Sequence, residues 1–272
     1  MRIQDGNSGT IKPGHKMNFV GASTPLSQEG LSTAIECVNT KAAELWSVIS
    51  VETSGCGYFD DRRPQILYER HIFYRLTQGR FPLSDINSPD GGGYVGGTAE
   101  YDRLTRAALL DQNAALQSAS WGIGQVLGEN FQAAGFSDAG SMVTAMCGSE
   151  DAQILAVCKF LMSNGLDRAL RNHDWAGFAR GYNGPNYSKY SYDTKLLQNY
   201  QKFSVGTLPD LTVRAAQLML KFLRYNSGGV DGLNGPRTES AVKAFQDARG
   251  LPATGELDNA TMTALRAAVN GT

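Results

Sequence analysis

The chain has 272 residues, 42% of them apolar and 19% charged, with a formal net charge of -1. That length holds two cores of ordinary size, of about 180 and about 65 residues. The charge gives no electrostatic case for a nucleic-acid partner, and no apolar run is long enough for stable membrane insertion, so recognition falls to shaped clefts.

Four cysteines, Cys37, Cys56, Cys147 and Cys158, lack close pairing and accompany no secretory signal, so they read as buried free thiols. His15, His71 and His173 lie far apart, and no zinc-binding spacing occurs. No metal or cofactor is expected. Cys56 in a Gly-rich turn with His71 soon after leaves a Cys/His peptidase formally open, without a local signature behind it. With no basic start, apolar stretch and cleavage site at the N-terminus, the chain is expected to be made and kept in the cytoplasm.

Residues 1–23 are rich in Gly, Ser, Asn and Lys without periodicity and read as a leader that is loose on the surface or disordered. Helical patterns follow over residues 27–38 and 41–52, broken near Asn39. The second delivers one carboxylate, Glu52, onto the small, flexible run Thr53-Ser54-Gly55-Cys56-Gly57. A carboxyl at the end of a buried helix is partly desolvated, which raises its pKa toward neutrality and suits it to donate a proton.

Residues 58–68 read as a small hairpin or paired strands beside the site, and residues 69–78 as a short helix. Pro82, Pro89 and Gly91-Gly92-Gly93 mark residues 81–97 as a long loop, a candidate lip over a ligand. Residues 99–200 read as helical, with breaks near Gly122, Gly135, Gly165 and Gly184, so the larger domain is expected to be mostly α. A boundary falls at residues 204–209. Beyond it Leu218, Phe222, Val242, Phe245, Leu251, Met262 and Leu265 recur at helical spacing and predict a small three-helix core with turns at Asp231-Gly232 and Asn234-Gly235.

Glu52 with its small-residue tail, Ala119-Ser120-Trp121-Gly122-Ile123-Gly124-Gln125 and Gly181-Tyr182-Asn183-Gly184-Pro185 together resemble the lysozyme and lytic-transglycosylase superfamily. Further stretches in the same order, Arg63-Pro64-Gln65-Ile66-Leu67-Tyr68-Glu69-Arg70-His71 and Trp175-Ala176-Gly177-Phe178-Ala179-Arg180, narrow the resemblance to the phage-type N-acetylmuramidase domain of endolysins. The C-terminal residues, with Val230-Asp231-Gly232-Leu233-Asn234-Gly235-Pro236-Arg237-Thr238, are similar to the three-helix peptidoglycan-binding domain of cell-wall hydrolases. That family usually has an aromatic residue where this chain has Asn234, which bears on affinity rather than fold.

The resemblance implies a mainly α protein: a leader over residues 1–23, a lysozyme-like catalytic domain with a small β element over 24–205, and a peptidoglycan-binding domain over 206–272. It implies that Glu52 is the general acid. Glu69, following the expected strand beside the cleft, is a candidate to hold or activate water or to form an ion pair with Arg62, Arg63 or Arg70. Ser120, Gln125, Tyr182 and Asn183 are candidates for saccharide contact, and Trp121 is a candidate for stacking on a sugar ring or for the core. Tyr187, Tyr190, Tyr192 and Tyr200 could extend that platform or form an ordinary surface, and Asp231, Asn234 and Arg237 are candidate anchoring residues.

Three readings follow. One is a monomeric phage endolysin that hydrolyses peptidoglycan glycan strands after a separate membrane-permeabilising factor releases it from the host cytoplasm. A second is a lytic transglycosylase forming 1,6-anhydro products. The third is a non-catalytic peptidoglycan-binding virion protein, which would have no need of an intact acid.

Overall fold

A computed structural model describes residues 18–53 and 55–271. The expected leader lies outside them as far as residue 17, and its remainder is not loose. Phe19 is buried, its ring centroid 4.9 Å from that of Tyr101 and 5.7 Å from that of Trp121.

Helix α1 (Gln28–Val38) starts at Ser27, whose hydroxyl accepts from the Gly30 N–H, and stops at Asn39 with φ 50°. Helix α2 (Ala42–Thr53) is apolar on nearly every face and is buried accordingly, with α10 (Tyr192–Val205) packed along it. Between them in sequence come β1 (Ile66–Tyr68), α3 (Arg70–Leu76), α4 (Glu100–Leu110), α5 (Gln112–Gln117), β2 (Ala119–Trp121) and β3 (Val126–Leu127). Helices α6 (Ala139–Gly148), α7 (Glu150–Ser163), α8 (Leu166–Arg171) and α9 (Trp175–Asn183) complete this part. Among the described residues the protein is mainly α with one small sheet, as the resemblance implies.

The sheet departs from expectation in its pairing. Residues 58–68 form no hairpin of their own beyond one bridge between Tyr58 and Pro64. Pro64 has no N–H to give to a ladder, so the apolar run that follows finds its partner elsewhere. Leu67 pairs antiparallel with Ser120, and Ser120 with Leu127, in the strand order β1-β2-β3. Residues 119–121, expected within a helical stretch, are therefore the central strand. Gly122 (φ 71°) and Gln125 (φ 51°) turn the chain back at once, conformations that end any helix there.

Helices α11 (Leu211–Phe222), α12 (Pro236–Ala248) and α13 (Asn259–Asn270) form the C-terminal bundle around Ala216, Leu220, Val242, Phe245, Met262 and Leu265. Leu218 and Phe222, expected in that core, pack instead against Cys56, Tyr58 and Val230. Positions 214, 218 and 222 recur every four residues and so share a face of α11. That face meets the larger domain, while Ala216, Met219 and Leu220 face the bundle. The amide of buried Gln217 accepts from the Asp231 and Gly232 N–H groups and donates to Asp231, Leu233 and Thr238, which fixes the turn between α11 and α12.

All four cysteines are free, three of them buried, while Cys37 is half-exposed. Among the described residues no helix is long and apolar enough to cross a membrane.

Candidate active site

The C-terminal end of α2, the sheet, the 81–97 loop and the segment from α9 to α10 enclose a cleft of about 720 Å³. Glu52 sits half-buried at its floor, where its Oε1 accepts from Asn183 Nδ2 at 3.0 Å. Burial raises Glu52 from the ordinary glutamate value of 4.5 to about 7, against the opposing effects of the Asn183 hydrogen bond and the Lys195 charge. The desolvation that the sequence suggested is therefore the dominant influence on this carboxyl. The next residue, Thr53, donates its hydroxyl to the Ile123 carbonyl at 2.9 Å and so ties the end of α2 to the turn after β2.

Asn183 is the last residue of α9, freed from the helix by Gly184 with φ 83°. Its Oδ1 is buried and has no hydrogen-bond partner among the described residues. Tyr182 has a second task beside the one its motif suggested. Its hydroxyl donates to the Gly124 carbonyl at 2.5 Å, and its ring stacks on Phe178 at 5.4 Å, so it holds the turn behind the cleft as well as lining it. Gly124 must be glycine because a Cβ there would come within 2.2 Å of Val157 Cγ2. Gln125 lines the cleft with its amide nitrogen committed to the Gln65 and Gly122 carbonyls.

The alternation of β2 separates two candidates that are adjacent in sequence. Successive strand residues face opposite sides, and Ser120 takes the cleft side. Trp121 takes the core side: it is fully buried against Phe19 and Tyr101, and its indole donates to the Leu116 carbonyl at 3.1 Å. Its candidate role in sugar stacking is thereby corrected. Trp121→Phe should leave KM for glycan unchanged and lower stability by about 1–3 kcal/mol through the orphaned Leu116 carbonyl, read from the denaturant midpoint. A raised KM with full stability would return Trp121 to the cleft.

Glu69, the N-cap residue of α3, lines the same cleft as Glu52. None of the three arginines offered as its partners holds it. Arg62 donates to the carbonyls of Gly21, Ala22 and Val269, Arg63 to Asp61, and Arg70 to the carbonyls of Asp90 and Gly91. Instead the Tyr94 hydroxyl lies 2.9 Å from both Glu69 oxygens, and His71 Nδ1 lies 3.3 Å from one of them. Sequence reasoning missed Tyr94 as a site residue and offered His71 only as the partner of Cys56 in a peptidase. The signal for Tyr94 was its place in the Gly-rich loop read as a lip, and a lone tyrosine there gives no further cue.

Of the four later tyrosines, Tyr190 and Tyr192 line the cleft. Tyr187 packs against the core, and Tyr200 lies against His173 and Trp175. In the C-terminal bundle Asp231 accepts from Gln217 and from the Leu233 N–H, the bonds of a turn, while Asn234 and Arg237 are exposed.

A half-buried carboxyl and a second carboxylate lining one cleft are the kind of groups a glycosidase would use. Residues 41–204 match the N-acetylmuramidase family model, and residues 210–265 match the putative peptidoglycan binding domain. The crystal structure of Burkholderia AP3 phage endolysin is similar at 36% identity and a TM-score of 0.61, over 66% of this chain and 70% of that one. No curated protein matches the chain. By class it is a glycoside hydrolase acting on peptidoglycan. The chain belongs to the N-acetylmuramidase family.

Proposed function

We propose that this protein is a phage endolysin that hydrolyses the β-1,4 bond between N-acetylmuramic acid and N-acetylglucosamine, with Glu52 as the general acid. The observation that carries this reading is the burial that raises Glu52 to about 7 at the floor of the cleft. At that value a large fraction of the carboxyl is protonated near neutral pH and can donate to the glycosidic oxygen as the bond to the muramic C1 breaks. Glu69 then takes a proton from the water that attacks C1. The Tyr94 hydroxyl holds its carboxylate, with His71 Nδ1 3.3 Å from one oxygen.

Ser120, Gln125 and Asn183 supply short, directional contacts to the sugars, and the unpartnered Oδ1 of Asn183 suits an N-acetyl N–H. Tyr182 contributes one wall. The chain divides into a catalytic domain over residues 24–205 and a domain over 206–272 that keeps the enzyme on insoluble wall, with Asn234 and Arg237 exposed for contact and Asp231 shaping the turn. The enzyme acts as a monomer on glycan strands, reaching them from the host cytoplasm once a separate factor has permeabilised the membrane.

Mass spectrometry of digested sacculi tests the reaction. Reducing-end N-acetylmuramic acid is expected. Products lighter by one water would instead assign a lytic transglycosylase, and free stem peptides without glycan cleavage would overturn glycosidase action altogether. Sacculus binding without any cleavage would leave a binding protein.

A further inference from the structure

The C-terminal bundle reaches into the larger domain at the segment that follows Glu52 in sequence. Arg214, in the first turns of α11, is fully buried. Its guanidinium makes a two-pronged pair with Glu150 at the start of α7, and both Nε and Nη2 donate to the Gly55 carbonyl, Nε at 3.1 Å. Glu150 is itself fully engaged, accepting from the Gly57 and Leu26 N–H groups, each at 2.9 Å. The Arg214 guanidinium also lies 5.7 Å from the ring centre of Trp46, a residue of α2. One side chain of the bundle therefore grips both the helix that carries Glu52 and the backbone that leaves it.

Neighbouring contacts reinforce the grip. Lys221 Nζ donates to the Tyr58 carbonyl at 2.7 Å, and Leu218 and Phe222 close over Cys56 and Tyr58. Gly55 has φ 90°, and a Cβ on it would stand 2.8 Å from the Val230 carbonyl oxygen, so this backbone is moulded to the bundle. Two contacts fix the chain just after Glu52. Thr53 is held by Ile123 of its own domain, and Gly55 by Arg214.

We propose that Arg214 is a positioning residue of the active site: the bundle completes the catalytic centre through this guanidinium, so cleavage of a soluble glycan, which gains nothing from anchoring, depends on it. The inference rests on Glu52 being the acid. A displacement of about 1 Å at a catalytic group costs up to about 10²-fold in rate, and a loosened backbone at Gly55 is placed to produce one.

The test uses the full chain with purified soluble fragments of alternating N-acetylglucosamine and N-acetylmuramic acid, comparing the parent with Arg214→Met, Arg214→Lys and the rim variant Arg224→Ala. Steady-state rates are measured across pH 4 to 9 at a temperature where circular dichroism finds each protein folded. The groups facing Glu52 are Tyr182 and Asn183 of α9 and Tyr192 and Lys195 of α10, and Glu69 lines the same cleft. None of these is altered, so a moved pH limb reports a changed setting of Glu52.

Arg214→Met should lower kcat by about 10- to 100-fold with KM within about twofold. Its alkaline limb should move to lower pH as water reaches Glu52. Arg214→Lys should recover part of kcat, and Arg224→Ala should keep the parental values. If Arg214→Met does not fold, Arg214→Lys carries the same reading, with a partial fall in kcat and a limb displaced the same way. A parental kcat and limb in the folded variants would overturn the proposal, as would a loss of rate with an unmoved limb. Glu52→Gln separates the two claims: if it is inactive while the Arg214 variants behave as the parent, only the positioning role fails. If Glu52→Gln is active, both fail.

Discussion

Glu52→Gln should bind sacculi as the parent does and lose between about 10² and 10⁴ of its rate on them, the range that a positioned acid supplies. The amide preserves shape and can keep its oxygen on Asn183 Nδ2, the bond made by the parental Oε1 at 3.0 Å, but it has no proton to give. The same variant should be the more stable protein in alkaline solution. Burial raises the folded-state pKa of Glu52 from 4.5 to about 7. A carboxyl shifted upward costs folding stability as pH climbs through that window, and the full cost is present above it. At pH 8 the parent bears that cost and Glu52→Gln does not; below about 4.5 the difference should vanish. Lysis of sacculi at the parental rate by folded Glu52→Gln would remove the acid from this site.

Arg214→Ala should be the most destabilising single change at the boundary between the two parts of the chain. It leaves Glu150 charged, fully buried and answered only by two backbone N–H groups. Breaking one side of a buried ion pair costs about 3–5 kcal/mol. For a chain of this size that is a fall in melting temperature of about 10 °C. Arg224→Ala breaks an ion pair with Asp60 in which both side chains are well exposed, so it should cost less than about 1 kcal/mol. Calorimetry of both variants at pH 7 checks the contrast, and equal small shifts would mean that the buried pair contributes nothing to cohesion. The same interface decides what truncation should do. Removing residues 208–272 takes away Leu218 and Phe222 as well as Arg214, exposing apolar Cys56 and Tyr58 rather than releasing an unattached module.

The sequence carries some of this site openly and hides the rest for definable reasons. Glu52 is legible because a helical apolar run ends in a carboxylate followed by glycines, and Asn183 because a glycine frees it from its helix. Trp121 is misleading by one position: its neighbour Ser120 has the cleft, and only the pairing of β2 with β1 and β3 decides which of the two does. The β1–β2 half of that pairing joins segments more than 50 residues apart, beyond the reach of local periodicity. The bundle core was visible as helical spacing, yet the spacing of Leu218 and Phe222 does not tell which body they face. Arg214 and Glu150 stand 64 residues apart and neither has a local motif, so their pairing emerges only when α11 and α7 meet.

If burial in the cleft keeps Glu52 protonated near neutral pH, titration of that one carboxyl will show it. Carbon NMR of glutamate-labelled protein, with Glu52→Gln supplying the assignment, should find a pKa of about 7. The alkaline limb of kcat/KM on soluble glycan should fall at the same pH. A carboxyl that titrates near 4.5, with activity persisting well above pH 7, would contradict the account.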